Sequence, residues 1–486
     1  MRGHKPALFV LLATTLTALV TSGAIDAQEP SPALSEARAL RLSFVQGTVT
    51  IQRPGSSTWT QASANTPLQE GFSVATAQGG FAEIQFENGS TVRLGQLSRV
   101  DFNKLALASR GRELNRVTFE EGYATFHFMP GLRDEYLVET AGLTLAPRGK
   151  AEFRTDIHGQ QTRVEVFEGE VEVSDSHQTE KLGTEKVLTC DVSTGAPFQI
   201  TQGIEKDDWD KWVEAKDEQS TLAYHASAIS IDGPMYGWDD LDTYGDWGYF
   251  PGYGYGWAPY EPFGWSPYGL GAWSMYPGWG MTWTSGEPWG WLPFHYGCWY
   301  QDPAMGWFWM PGSFGMWNPA LVNWYSGPGW VGWVPRGPGG APVCLAAGCI
   351  TAVAPGNLGR PIRPGGPGIV RPDMNAPFQS IARPTVEPNQ LAMLSGQPVS
   401  KDVVFPGGPR GALIRGDGRM LSPASPHGDP LAGRVDVAGP NPKVGLERAP
   451  ASGELSPATG FRGTRIAAPS SVVMGRTVSP AILLTQ

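Results

Sequence analysis

Apolar and polar residues alternate in short runs between residues 38 and 200, a pattern typical of strands with one buried face. The clearest pair of runs, Phe81 to Phe86 and Thr91 to Leu94, is separated by Asn88-Gly89. Because an Asn-Gly pair supplies the positive φ of a tight turn, this pattern predicts a β-hairpin. Similar runs recur with glycines between them and without helical periodicity. The segment therefore predicts a mainly β fold, an all-β roll or sandwich.

One helical pattern follows this segment. Trp209, Trp212 and Val213 recur at three- and four-residue steps, and Asp207 and Asp208 suit the positive end of a helix. We expect a short linking helix at residues 205–222 that docks on a neighbouring sheet. Its role is open between a structural spacer, which we favour, and a partner-binding helix.

A 26-residue repeat occupies residues 233–335, which contain sixteen of the nineteen Trp residues. Three units share the form Trp-x3-Pro-x2-Gly-x2-Trp and begin at Trp247, Trp273 and Trp299, and a degenerate fourth unit begins at Trp324. Gly and Pro divide each unit into aromatic strands of about four to six residues. Because so small a unit buries little alone, neighbouring units must share a core. The repeat predicts a compact Trp-rich β-repeat domain.

Two roles are open for the aromatic residues of this domain. We favour a packing role alone, and the alternative is packing combined with an exposed face that stacks on neutral glycans or basic peptides. The charge of this region supports the alternative, because residues 217–335 contain ten acidic residues and no Lys or Arg. The residues of this candidate binding face are Trp247, Trp257, Trp273, Trp283, Trp299 and Trp309.

Composition changes again after residue 335. Residues 336–486 are rich in Pro, Gly, Ala and Ser, contain few aromatic residues and show no periodicity, so we expect a disordered tail. Fifteen basic residues face eight acidic ones in this segment, and the surplus could attach it to the acidic Trp-rich domain or to anionic envelope polymers. The whole chain carries a net charge of -10, which argues against nucleic acid as a partner.

The first residues predict export. Arg2 and Lys5 precede a mostly apolar run from Ala7 to Val20, and small residues follow up to Ala27. A helix of fourteen residues rises about 21 Å, less than a bilayer core of about 30 Å, so we interpret residues 1–27 as a cleaved signal peptide rather than an anchor. Because no later stretch is long and apolar enough, we expect no stable membrane span. The mature chain should reach the periplasm or the exterior.

Residues that could carry chemistry are few and scattered. We find no nucleophile elbow, phosphate loop or dinucleotide fingerprint, and we expect no enzyme activity, no cofactor and no metal site. His295 and Cys298 form the one close pair of metal-ligand types, and packing explains them more simply. Cys344 and Cys349 are close enough to close a small disulfide loop, although four cysteines allow three connectivities.

Residues 38–200 resemble the FecR domain, the exported sensor domain of regulators of ferric citrate uptake. The resemblance covers about a third of the chain and depends on motifs with turn glycines in a fixed order. These are Val45-Gln46-Gly47-Thr48-Val49, Leu68-Gln69-Glu70-Gly71, Asn88-Gly89-Ser90 and Val164-Glu165-Val166-Phe167-Glu168-Gly169. The Gly-Trp-x-Pro steps at residues 256–259 and 290–293 resemble a Trp-rich domain of unknown function that accompanies FecR-like domains in exported bacterial proteins.

Together these features predict an exported, non-catalytic binding or scaffolding protein of the bacterial cell envelope, with an envelope glycan or a protein as its partner. The alternative is a signal-transduction component that relays an extracellular cue to a membrane partner, as the resemblance implies. An envelope hydrolase is the weakest of the three hypotheses.

Overall fold

The computed structural model describes residues 38–386, without 109–111, 192, 227–235, 263, 312–316, 347 and 385, and three short strands between residues 404 and 421. For residues 219–226 and for these three strands it describes the backbone alone. The predicted signal peptide at residues 1–27 lies outside the described residues.

Residues 38–202 form an N-terminal β domain. Its strands are β1 (Leu40–Gln46), β2 (Val49–Gln52), β3 (Trp59–Gln61), β4 (Thr66–Leu68), β5 (Ser73–Thr76), β6 (Phe81–Gln85), β7 (Thr91–Leu94), β8 (Arg99–Ala108), β9 (Arg112–Phe128), β10 (Glu135–Glu139), β11 (Thr144–Pro147), β12 (Ala151–His158), β13 (Gln161–Glu168), β14 (Glu170–Ser174), β15 (Thr179–Gly183), β16 (Lys186–Asp191) and β17 (Gln199–Gln202). One sheet has the order β17-β16-β13-β12-β9-β7-β6-β1-β4. The other has the order β3-β2-β5-β8-β9-β10-β11-β14-β15.

Strand β9 belongs to both sheets and so joins them around one apolar core. Its first part pairs with β8 and β10, and its second part pairs with β7 and β12. The change of sheet occurs at Gly122, whose φ is +89° and where a Cβ atom would lie 2.2 Å from Ser98 Oγ. Only glycine fits this bend without strain. The predicted all-β roll or sandwich is confirmed.

The hairpin predicted at Asn88-Gly89 is also present. Strands β6 and β7 pair from Ala82 and Leu94 to Gln85 and Thr91. Gly89 has a φ of +83°, and the Asn88 side chain accepts a hydrogen bond of 3.0 Å from the backbone N–H of Ser90. The turn chemistry of this dipeptide therefore sets the register of the hairpin.

Helix α1 (Asp208–Ala226) covers the outer face of the sheet that contains β12, β9 and β7. It begins three residues later and ends four residues later than the predicted helix. Trp209 and Val213 are buried, and the Trp209 ring stacks on Phe81 at 6.0 Å. The apolar positions in the sequence thus mark the docking face of the helix.

The Trp-rich domain consists of four hairpins and two short helices over residues 236–335. Its elements are α2 (Trp238–Tyr244), β18 (Gly245–Phe250), β19 (Gly254–Pro259), β20 (Gly271–Tyr276), β21 (Gly280–Ser285), α3 (Trp291–His295), β22 (Cys298–Asp302), β23 (Gly306–Met310), β24 (Val322–Gly327) and β25 (Trp330–Pro335). Each hairpin corresponds to one unit of the sequence repeat.

The repeat places two Trp residues directly opposite each other in every hairpin. The cross-strand pairs are Trp247 with Trp257, Trp273 with Trp283, Trp299 with Trp309 and Trp324 with Trp333. The fourth unit is a complete hairpin, and its register slips because its turn contains two residues instead of three. Stacked units share one aromatic core, as expected for repeats too small to fold alone.

The predicted start of the disordered tail at residue 336 is too early. Strands β26 (Thr351–Val353) and β27 (Gln379–Ile381) extend the sheet of the fourth hairpin, and 3-10 helices occupy Pro338–Gly340 and Pro355–Asn357. Leu358 and Ile362 are buried in the aromatic core. The segment is ordered because the free edges of β24 and β25 supply backbone hydrogen-bond partners that composition does not reveal. Strands β28 (Val404–Pro406), β29 (Leu413–Arg415) and β30 (Met420–Leu421) form a small sheet, and the remaining residues of the predicted tail are not described.

Candidate functional site

A layer of buried charge lies between helix α1 and the sheet beneath it. Arg154 of β12 contacts three carboxylates: Asp207 at 2.9 Å, Asp210 at 3.1 Å and Asp156 at 3.0 Å. Burial raises the pKa of Asp210 to about 6, although Arg154 opposes the shift. At Asp207, burial acts to raise the pKa of the carboxyl, but the attraction and hydrogen bond of the Arg154 guanidinium outweigh burial and lower this pKa. This cluster holds the first turn of α1 on the sheet.

A second arginine attaches the middle of α1. Arg93 of β7 contacts Glu83 of β6 at 2.8 Å and Asp217 of α1 at 2.7 Å, and its side chain is almost completely buried. Although burial opposes it, the interaction with Arg93 lowers the pKa of Glu83, and Ser43 strengthens the effect by donating a hydrogen bond of 2.7 Å. Both carboxylates are therefore charged partners of one buried guanidinium.

Beside Arg93, three residues from distant parts of the sequence meet. His127 of β9 and Glu152 of β12 are opposite each other in the sheet, and Asp217 reaches them from α1. One nitrogen or oxygen atom of each side chain lies within 4.8 Å of those of the other two. Sequence spacing alone could not find this group, because 25 and 65 residues separate its members, and no local motif connects them.

The two domains are joined by buried polar contacts. Arg41 of β1 donates hydrogen bonds to Asn65 in its own domain and to Asp240 of α2 in the Trp-rich domain. Asn65 Nδ2 donates a hydrogen bond of 2.8 Å to the backbone carbonyl of Glu287. Tyr276 OH donates one of 2.8 Å to the backbone carbonyl of Pro67. The N-terminal β domain and the Trp-rich domain thus contact each other through specific, satisfied groups.

Two repeat-equivalent carboxylates connect neighbouring units of the Trp-rich domain. Trp265 Nε1 donates to Glu287 at 3.3 Å, and Trp289 Nε1 donates to Glu261 at 3.3 Å. Glu287 is buried and also accepts a hydrogen bond of 2.6 Å from Ser285. Burial raises the pKa of Glu287 to about 7, against the opposing effect of the Ser285 hydrogen bond.

The Trp residues of the candidate binding face are in the core instead. Five of the six (Trp257, Trp273, Trp283, Trp299 and Trp309) are buried, and Trp247 is half-buried. Their indoles pack on one another because residues directly opposite each other on paired strands project from the same face of the sheet. The prediction that these residues form an exposed stacking face is wrong, and the packing role that we favoured describes them.

A different set of aromatic side chains is exposed on the first hairpin. Tyr249 and Tyr255 lie opposite each other on β18 and β19 with 69% and 50% of their surfaces accessible. Tyr260 is also exposed and donates a hydrogen bond of 2.7 Å to Asp246. The Gly and Pro residues of the repeat indicated strands here but not which residues face solvent. The local sequence offers no signal for this exposure, because it depends on what packs against each side of the strands.

The remaining sequence candidates have structural partners. His295 Nδ1 donates a hydrogen bond of 2.7 Å to the Asn318 carbonyl, and burial lowers the pKa of His295 to about 3. Burial also raises the pKa of the nearby Cys298 thiol, which makes it a poor ligand and nucleophile at neutral pH. The structure joins Cys344 to Cys349 in a disulfide and leaves Cys190 and Cys298 as free thiols.

Comparison with known families agrees with this division of the chain. Residues 72–172 match the family described as FecR protein. The chain carries a FecR domain. This match lies inside the N-terminal β domain, which is called the FecR domain from here on. Residues 238–340 match a family of unknown function, DUF6600, which coincides with most of the Trp-rich domain.

Similarity between this chain and whole known proteins is weak. No curated protein matches the chain significantly. Two crystal structures of a candidate anti-sigma factor from Parabacteroides distasonis are similar to it at 15% and 16% identity. Each covers 31% of this chain and 64% of the other, with a TM-score of 0.24, so the chain spans less than two thirds of that relative. None of the described helices has the length and apolar composition required to cross a membrane.

Proposed function

We propose that this protein is a non-catalytic signal-transduction component of the bacterial cell envelope, which relays an extracellular cue to a membrane-bound protein partner. The observation that carries the proposal is the FecR match at residues 72–172, because this family consists of regulatory domains. Export is part of the proposal and rests on the apolar run from Ala7 to Val20.

The attachment of the domains supports a relay. Helix α1 is held on the FecR domain by Arg154 and Arg93, and Arg41 attaches the Trp-rich domain to the same sheet through Asp240. A partner that displaces one domain must therefore break buried ion pairs, whose separation is costly. Such contacts couple binding at the Trp-rich domain to the state of the FecR domain.

Crosslinking in cells tests this proposal. A photo-crosslinking amino acid at Tyr255 samples the Trp-rich domain, and the same residue at exposed Leu132 or Ile200 samples the FecR domain. We expect a covalent adduct with a protein that has a membrane helix from at least one domain. If none of the three positions yields a protein adduct in the envelope, the relay proposal fails.

The exposed tyrosines favour a second candidate function, that of an envelope-binding or scaffolding module. Tyr249 and Tyr255 offer exposed rings in a domain without Lys or Arg, a surface suited to uncharged sugars. In this case the protein should be retained on purified envelope polysaccharide. Tyr255→Ala should weaken retention about threefold to tenfold, whereas Tyr255→Phe should preserve it because the ring remains. Turnover of the polysaccharide would indicate a hydrolase instead.

A further inference from the structure

The group formed by His127, Glu152 and Asp217 has the composition of a metal site. Imidazole nitrogen together with two carboxylate oxygens is a donor set that binds divalent first-row transition metals. The three side chains come from β9, β12 and α1, so their positions are fixed by two paired strands and by a docked helix. Their donor atoms lie within 4.8 Å of one another, and an approach of roughly 1.5 Å would bring them to the separations of about 3.3 Å found around tetrahedral Zn²⁺.

The charge balance of the group favours a cation. The carboxylates of Glu83, Glu152 and Asp217 surround the Arg93 guanidinium, which contacts Glu83 and Asp217. Lys216 also attracts Glu83. Among the described residues, Glu152 has neither a hydrogen bond to its carboxylate nor an ion pair, and the Asp217 carboxylate lies close to it. A bound cation would relieve the repulsion between these carboxylates.

The histidine provides an independent observation. His127 Nδ1 lies 3.8 Å from Asp217 Oδ1, and Nε2 is buried without a hydrogen-bond partner among the described residues. The pairing of β9 with β12 places the ring beside the carboxylates. A small cavity lies beside Glu152 and is also lined by Thr125 and Glu214.

We propose that His127, Glu152 and Asp217 together bind one divalent transition-metal ion, with Zn²⁺ as the best fit. The ion would connect the FecR sheet to helix α1 and so stabilise the docked position of that helix. This inference depends only on the FecR domain and α1, so it is independent of the proposed relay of a signal.

Binding of Zn²⁺ to the mature full chain, stripped of metal with a chelator, tests the site. We expect one equivalent of Zn²⁺ by competition with a chromophoric chelator and a rise in the melting temperature on addition of Zn²⁺. His127→Ala and Glu152→Gln should each weaken Zn²⁺ affinity at least about tenfold and abolish the rise. His158→Ala, which removes an exposed histidine from the end of β12, should leave both unchanged.

Two further measurements separate this site from other ligands and from misfolding. The Cys190→Ser, Cys298→Ser double variant should bind Zn²⁺ normally, and X-ray absorption should detect only nitrogen and oxygen neighbours at about 2.0–2.2 Å. Glu152→Gln without metal should melt at or above the temperature of the metal-free parent, because it removes a repelling charge. Failure of the parent to bind Zn²⁺, or binding that survives in both His127→Ala and Glu152→Gln, would overturn the proposal.

Discussion

At the scale of single residues, indole hydrogen bonds distinguish Trp residues that the repeat makes equivalent. Trp299 Nε1 donates to the Pro293 carbonyl at 2.8 Å, whereas Trp273 Nε1 is buried without a hydrogen-bond partner among the described residues. Either residue replaced by Ala should lower the free energy of unfolding by about 3 to 5 kcal/mol. Trp299→Phe should cost about 1 to 3 kcal/mol more than Trp273→Phe, because it removes a donor from a buried carbonyl. Urea unfolding of the four variants measures both differences, and equal costs for the two Phe variants would contradict this account.

A buried carboxyl predicts the direction of a pH dependence. Burial raises the pKa of Glu287 to about 7 in the folded protein, above the value of about 4.3 for an exposed Glu. Between these values the folded state keeps a proton that the unfolded state releases, so the Glu287 contribution to stability falls as pH rises. In Glu287→Gln, the decrease in the free energy of unfolding between pH 5 and pH 8 should be smaller than in the parent by up to about 3 kcal/mol. Glu261→Gln, at the equivalent half-buried position, is the control for loss of a carboxylate that accepts a hydrogen bond from a Trp indole.

At the scale of elements, helix α1 depends on its buried ion pairs. Arg154→Met would leave Asp156, Asp207 and Asp210 without their cation, a loss of about 3 to 5 kcal/mol. We expect faster hydrogen exchange throughout α1, measured by mass spectrometry. Arg148→Met removes an exposed ion pair with Glu172 and should leave both the stability and the exchange of α1 nearly unchanged. Unchanged exchange in Arg154→Met would show that apolar packing alone holds the helix.

The two strands that follow the fourth hairpin predict where the folded chain ends. A chain truncated after Pro335 would lose β26 and β27 and the buried side chains of Leu358 and Ile362. A chain truncated after Val386 would keep them. Limited proteolysis of the full chain should therefore leave a fragment that extends beyond Ile381. A resistant fragment ending near Pro335 would mean that these strands contribute little to stability.

The elements also explain how far the sequence alone could lead. Local patterns predicted the Asn88-Gly89 hairpin and the four Trp-rich units because turn chemistry and residue spacing act between neighbours. Which side of a strand faces solvent depends on what packs against it, so the exposure of Tyr249 was not predictable. The meeting of Glu152 with Asp217 depends on the path of the whole chain. Composition averaged over residues 336–486 likewise did not predict β26 and β27. Each has only three residues and is ordered by pairing with an edge of the neighbouring sheet.

At the scale of the whole molecule, the tip of the second hairpin joins the two domains. Tyr276 is buried in the apolar core of the FecR domain, where its ring stacks on Phe72 at 5.5 Å, and its hydroxyl donates to Pro67. Arg53 lies over the same ring at 5.1 Å. A side chain of one domain thus completes the core of the other, and we expect the two domains to unfold in one cooperative transition.

Substitution of this side chain tests whether the domains unfold together. Tyr276→Ala should remove about 3 to 5 kcal/mol from the contact between the domains, as truncation of a buried aromatic residue does. Calorimetry should then resolve two transitions, because each domain retains its own core while the coupling between them is weakened. Tyr249→Ala, which truncates an exposed ring on the first hairpin, should keep the single transition. Two transitions in the parent protein, or one unshifted transition in Tyr276→Ala, would mean that the domains are not coupled through Tyr276, and a relay between them would depend on the contacts of Arg41 and Asn65.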